Sequence, residues 1–366
     1  GAPASQATEA YVSYDDEHLY VVFVARDREP NQVRASLTRR EGFSNDDYVG
    51  VMLDTFRDRR RAYLFIVNPL GVQRDGVATD GARDDDYSFD TVWQSRGRLT
   101  PFGFVVWMAV PFKSLGFSTL PEQEWGIALT RSIVRNNETS FWPYITRRVS
   151  GTVHQMAGAT GLTNLSPGRN FQFIPYASFT GARFLDEDRP ALVSDATGRA
   201  GLDGKFVVKD AFTVDVTFNP DFSQVESDEP QVTINQRFEV FFPEKRPFFI
   251  ENASYFETPI DLFFSRRIAD PQVGARITGK RGEWTVAALG MDDRAPGEAL
   301  PQGDPDRDDR AGIGVVRIQR DLPRQSSVGV FATTHRFGSS DNHVVALDGR
   351  YKFTDTWVLS GQAAFS

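Results

Sequence analysis

Three aromatic residues stand where a ring could meet a ligand: Tyr87, Trp93 and Trp142 each fall at a predicted loop or strand edge. Such rings grip sugars because the C–H bonds on one face of a pyranose lie flat against an indole or phenol, while nearby polar groups take up the hydroxyls. Arg74 and Asp75, neighbours in the predicted turn after Val72, are the polar partners on offer. Each ring has an alternative use in packing a sheet, as Trp107 and Trp125 do within predicted strands, and an adjacent Arg–Asp pair also serves as a solvated ion pair.

Calcium takes hard oxygen ligands, and two acidic runs could supply them. Asp84, Asp85, Asp86 and Asp90 crowd one stretch, with Asp84, Asp86 and Asp90 the better candidates. Asp304, Asp306 and Asp308 begin like a calcium loop, but Asp309 stands where the glycine should be and Val315 where the bidentate glutamate should be. Solvated acidic loops are the expectation for both, and calcium is the one cofactor left open. The four histidines, His18, His154, His335 and His343, fall in no zinc-ligand spacing, and no nucleophile elbow, phosphate loop or dinucleotide fingerprint is found. A glycoside hydrolase needs only two carboxylates at the right separation, so an enzyme of that class stays as an alternative, with Glu226, Asp228 and Glu229 the acids to test first. Binding or envelope architecture outranks catalysis.

Composition narrows the partners. The net charge of -8 argues against nucleic acid, which needs a basic face. Without cysteine there is neither a disulfide framework nor a thiolate metal site. No run approaches the roughly 18 apolar residues of a spanning helix, although a spanning barrel gives only a weak, alternating signal. The chain opens without methionine and stops inside a predicted strand at Phe365, which reads as a fragment.

The elements that must position these residues are strands. Residues 10–15 with 18–27 and 47–56 with 61–69 read as hairpins, the second across a charged tip at 57–60, and further strands follow at 91–96, 103–110 and 125–133. Short strands at this spacing predict a β-sandwich over 1–160. Small and polar residues at 158–168 mark the expected boundary. Beyond it, over 161–366, strands lengthen and alternate: Phe212, Val214, Val216 and Phe218 oppose Thr213, Asp215 and Thr217. Strands of this length could cross a bilayer as part of a truncated barrel, with 292–310 as a long outer loop. The expected fold is therefore all-β, a sandwich followed by antiparallel barrel strands.

Between those strands, residues 237–256 (RFEVFFPEKRPFFIENASYF) hold six phenylalanines among charges and two prolines. The prolines argue against a long helix or central strand, so the segment should lie as irregular backbone against a large apolar surface, folded into the barrel or across its mouth. Phe241, Phe242, Phe248 and Phe249 would supply the apolar side, and Glu244, Lys245 and Arg246 would be paired, because isolated charges among phenylalanines cost too much.

The runs YVSYDDEHLYVVFVARD, DDYVGVMLDTFRDRRRAYLFIVNPLGVQRDG, TVWQS, GFVVWMAVPFKSLGF and WGIALTRSIVRNNE resemble the carbohydrate-binding-module family 9-like domain at the front of large Gram-negative envelope proteins. The run FNPDFSQVESDEPQVTINQRFEVFFPEKRPFFIENASYF, followed by FFSRRI, resembles the domain of unknown function 5916 that follows it there. The resemblance implies a sandwich and then an outer-membrane β-barrel, with carbohydrate and outer-membrane lipid as partners and the sandwich either periplasmic or surface-exposed. A structural envelope protein without ligand is the further alternative. One departure bears on the site: family members carry a glutamate in the strand leading to the Ile-Pro-Phe-like motif, where this chain has Trp107 before Val110, Pro111 and Phe112.

Overall fold

The computed structural model describes residues 3–80, 85–87, 89–118, 120–165, 171–185, 192–208, 212–220, 244, 246–250 and 252–366. The first ten strands are β1 (Thr8–Tyr14), β2 (His18–Arg26), β3 (Tyr48–Asp54), β4 (Arg61–Val67), β5 (Gln73–Thr79), β6 (Gln94–Thr100), β7 (Gly103–Pro111), β8 (Glu122–Ile133), β9 (Glu138–Trp142) and β10 (Ala157–Thr163). They form two antiparallel sheets, ordered β1-β2-β7-β6 and β10-β8-β3-β4-β5, with β9 also pairing β8. Alternate residues of the facing strands meet between the sheets: Val21 and Phe23 of β2 and Val106 and Met108 of β7 against Val49 and Val51 of β3 and Phe65 of β4. Burial of these β-branched and aromatic rows is what drives the two sheets together.

Both predicted hairpins are present as β1–β2 and β3–β4. Three strands depart from expectation. Residues 73–79, part of which reads in the sequence as a turn, form β5, in which Asp75 is held by Arg40 and Arg74 lies over aromatic rings. Residues 138–142 form β9, and the small, polar run expected as a boundary contains β10.

The other nine strands are β11 (Phe171–Leu185), β12 (Leu192–Val208), β13 (Phe212–Phe218), β14 (Val273–Arg281), β15 (Trp284–Asp293), β16 (Ala311–Leu322), β17 (Ser326–Phe337), β18 (Ser340–Lys352) and β19 (Val358–Phe365). Each pairs antiparallel with its sequence neighbour, giving one sheet in the order β11 to β19 that does not close among the described residues. No described helix is long and apolar enough to cross a membrane.

Between β13 and β14, the described residues around Phe248, Phe256 and Ile268 lie on one face of the sheet. Phe248, Phe249, Phe256 and Ile268 pack there on Ala287, Leu289 and Met291 of β15, Val315 of β16, Phe331 of β17 and Ala346 of β18. The large apolar surface that the phenylalanines demand is thus the covered face of the nine-stranded sheet. Several polar residues on this face pair with one another. Asp215 of β13 takes Arg276 of β14 at 2.7 Å, and Thr217 donates to Asp203 of β12 at 2.6 Å. Arg317 of β16 reaches over β17 to Asp348 of β18, its Nη2 at 2.8 Å. Gly329 makes that crossing feasible, since a Cβ there would meet the guanidinium at 2.6 Å.

Candidate ligand site at the sandwich junction

The residues expected to bind sugar do not converge. Trp93 is 4% exposed and meets Phe65 edge-on inside the sandwich core, so its faces are spent on packing and it is removed as a ligand platform. Trp142, at the end of β9, is 58% exposed. Tyr87 lies beside β5, on the opposite side of the same sheet; strands β8, β3 and β4 intervene, about 19 Å at the usual strand spacing. A single ring-lined surface cannot include both.

Arg74, Asp75 and Tyr87 do lie together. The Arg74 guanidinium stacks between Phe43 and Tyr87, 4.4 and 5.3 Å from the ring centres. Asp75, on the other side of β5, is wholly buried and accepts hydrogen bonds from Arg40 at 2.5 Å and the Thr91 amide at 2.8 Å. It is therefore neither part of a turn nor available to hydroxyls. Burial raises its carboxyl above the usual range even with Arg40 against it.

Asp90 bonds the same Arg40 at 3.0 Å, and the carboxylates of Glu41, Asp75 and Asp90 lie within 4.8 Å of one another. Burial, with Asp75 and Asp90 adding, pushes Glu41 up as well. This group differs from the expected calcium ligands: Asp90 belongs to it, Asp86 does not, and Asp84 lies outside the described residues. A cation here would have to displace Arg40 from two of the three carboxylates. The acidic run 304–309 forms no group of three close ligands among the described residues.

In the aromatic segment, Arg246 is 4% exposed and fully engaged. It donates to Glu244 at 2.8 and 2.7 Å, to the Ser265 carbonyl at 2.8 Å and to the Ile268 carbonyl, and lies over the Phe249 ring. Glu244 also accepts from Ser265 at 2.5 Å. The pairing expected for these charges holds for Glu244 and Arg246, while Phe241, Phe242 and Lys245 lie outside the described residues.

What sequence reasoning passed over is the charged tip between β3 and β4, taken there as the end of a hairpin. Arg57 and Arg59 adopt left-handed φ values of 53° and 60°. The Asp54 carboxylate accepts the amides of Asp58 and Arg59 at 3.2 and 2.8 Å, and the Asp58 carboxylate those of Arg60 and Arg61 at 2.8 and 3.1 Å. So held, the tip meets one end of the nine-stranded sheet. Lys280 of β14 donates to Asp58 at 2.5 Å and to Asp321 of β16 at 2.6 Å, and Arg60 binds Asp321 and the Ser326 carbonyl. Arg61 donates to the Ser254 carbonyl at 3.0 Å and stacks on Tyr255, 4.2 Å from its centre. Burial, with the charge of Asp58 added, pushes Asp54 up to about 7. Burial works against Asp58 too, but Lys280 outweighs it and holds this carboxyl below its usual range.

Beside these ion pairs lies a small cavity of about 40 Å³, open in part to solvent. Its rings are Phe56, Tyr63 and Phe89 from the sandwich and Tyr255 from the aromatic segment. Asp58, Arg61, Asp86 and Lys280 supply the charges. Its partners come from positions more than 200 residues apart, so no local motif signals it.

The fold and these sites define an all-β protein in which a sandwich is docked on the end of a nine-stranded antiparallel meander whose one face carries an inserted aromatic segment. A family described as a domain of unknown function, DUF5916, matches residues 167–283, from just before β11 to just past β14 and including the whole inserted segment. The match does not extend to the sandwich. No curated protein and no solved structure matches the chain.

Proposed function

We propose that this chain is part of an outer-membrane β-barrel protein of a Gram-negative envelope, with the sandwich on the periplasmic side and glycan as its ligand. The observation that carries this reading is the apolar outer face of the nine-stranded sheet, set against a covered face that holds buried charges beside the apolar patch under the aromatic segment. The buried charges are those of Arg276, Lys280, Arg317 and Lys352. On the outer face, Ile318 of β16, Val330 of β17 and Leu347 of β18 stand in one register row, 39%, 44% and 53% exposed, with Val316 and Val345 in the next. In water such continuous apolar rows are a liability, whereas lipid is their natural solvent.

The ends of the sheet support an orientation. Trp284, Tyr351, Phe353 and Trp357 cluster near the sandwich end, as in an aromatic girdle. The connections there, at 282–283, 323–325 and 353–357, are all short, while the far end carries the long connections 219–272 and 294–310 beside the short turn at 338–339. Membrane barrels keep short turns on the periplasmic side. Glycan recognition by the sandwich rests on its exposed aromatics, Trp142 and the Tyr87–Arg74 stack.

The full-length protein expressed in a Gram-negative host should stay with the outer membrane through a carbonate wash, need detergent for extraction, and migrate differently on a denaturing gel before and after boiling. A fully soluble monomer without detergent would refute the barrel. Glycan-array binding should weaken in Trp142→Ala or Tyr87→Ala, and binding untouched by both would remove these rings from the reading.

A further inference from the structure

The two sheets of the sandwich differ in what covers their outward faces. On the β10-β8-β3-β4-β5 sheet, Met52, Leu64 and Ala128 pack outward against Val153 and Met156. On the β1-β2-β7-β6 sheet no such cluster forms among the described residues. Register sets Tyr11 beside Val22, Val22 beside Trp107 and Trp107 beside Arg96 on that face, with Val24, Val105 and Arg98 in the next row. Each row crosses four strands, about 14 Å, which is wider than one pyranose ring. His18 and Tyr20 lie on the same side of β2. Tyr20 stacks with His18 at 5.8 Å and with Trp107 at 6.3 Å, the planes 25° and 30° apart. These three rings are half-buried, and Tyr11 is 60% exposed. The acids near them are already taken: Glu9 binds Arg26 at 2.9 Å and the Tyr11 hydroxyl at 3.1 Å, and Asp15 accepts from the Tyr20 hydroxyl at 2.8 Å. Along β6, by contrast, the exposed guanidinium groups of Arg96 and Arg98 have no hydrogen bond or ion pair among the described residues. Two positions apart on one strand, they stand about 7 Å from each other. The complement of this face is a molecule with apolar ring faces for the aromatics and anionic groups for the arginines, whose planar forks fit carboxylates.

We propose that the outward face of the β1-β2-β7-β6 sheet binds an acidic glycan, its sugar rings on Trp107, Tyr20 and Tyr11 and its carboxylates on Arg96 and Arg98. The proposal deepens the glycan reading above and rests on it, naming the class of glycan and moving the contact to a surface that does not depend on Trp142 or Tyr87. A neutral glycan would leave the two arginines unused. Arg96 and Arg98 then supply specificity, and the rings supply contact area.

The test titrates the full chain in detergent micelles, by calorimetry, with hexamers of galacturonic acid and of mannuronic acid and with cellohexaose as their neutral counterpart. At least one acidic hexamer should bind more tightly than cellohexaose, with an affinity that falls as salt is added. Trp107→Ala should weaken it about tenfold, through loss of one ring face. Should Trp107→Ala fail to fold, the double variant Arg96→Gln, Arg98→Gln, at two exposed positions, keeps the test alive: it should weaken binding about tenfold and flatten the salt dependence. Tyr144→Ala, an exposed ring after β9, should change neither. Acidic-hexamer binding that survives both face variants overturns this inference and leaves the glycan reading standing. Cellohexaose binding as tight as that of the acidic hexamers does the same. If no hexamer binds, this inference falls and the glycan reading rests on the array alone. A dimer in sedimentation that Trp107→Ala dissociates would make the face a protein interface and overturn the inference as well.

Discussion

Asp54 holds the turn on which the junction depends. Left-handed φ at Arg57 and Arg59 costs each residue about 1–2 kcal/mol, and the bonds from Asp54 to the amides of Asp58 and Arg59 help offset it. Its carboxyl ionises near 4 in an unfolded chain and at about 7 here. Because the folded state holds this proton more tightly, the resulting stability is complete below about pH 4, is lost as pH rises to about 7, and stays lost above. Asp58, with its lowered value, works the other way, its contribution disappearing only as pH falls below the usual carboxylate range. Asp54→Asn should therefore gain on the wild type in Tm between pH 4 and 8, and a constant difference would show that Asp54 titrates normally. Little of this was legible beforehand. Arg74 and Asp75 read in the sequence as a pair in a turn, Tyr87 as a sugar-facing ring and Asp90 as a calcium ligand, and nothing local joins them, because the residues that link Asp75 to Asp90, Arg40 and Glu41, lie more than thirty positions upstream. Trp93 was misplaced because a tryptophan just before a strand can point into the core as readily as out of it.

Among the elements, β17 shows how a sheet can carry a buried charge pair two strands wide. Arg317 and Asp348 sit on strands that do not touch, and the bare backbone of Gly329 between them leaves room for the guanidinium. Gly329→Val should push Arg317 off Asp348 and cost about 3 kcal/mol, the lower end for breaking a buried ion pair. The loss should shrink in an Asp348→Asn background, and strictly additive effects in that double-mutant cycle would exclude the mechanism. Alternation made the meander strands readable, since their two faces differ so sharply in polarity. The strands β5 and β10 hid for the opposite reason, since glycine, alanine, threonine and charged residues dominate them, and β9 is only five residues long.

At the scale of the whole molecule, the sandwich and the sheet are joined by a few residues far apart in sequence. Lys280 is central, because Asp58 and Asp321 both depend on it. Lys280→Met would leave the two carboxylates facing each other with Arg60 alone to balance them. Hydrogen exchange at residues 55–62 and 252–257 should then accelerate while the interior of β2 and β7 keeps its protection. Unchanged exchange at the junction would mean that the Arg61–Tyr255 stack and the Arg60 contacts suffice. The two-part, all-β character could be read from strand spacing, but not the docking. Lysine and aspartate more than two hundred positions apart announce nothing about each other.

The inserted aromatic segment has a topological consequence. It leaves β13 and returns to β14 at the same end of the sheet, where the Asn219 amide bonds the Gln272 carbonyl at 2.6 Å, and β13 and β14 remain directly paired. Taking the segment off the covered face would break the packing of Phe248, Phe249 and Phe256 and the bonds around Arg246, yet no rung of the strand ladder. The pairing of the strands and the covering of the sheet's face are separate variables in this protein, and one can change while the other stays fixed.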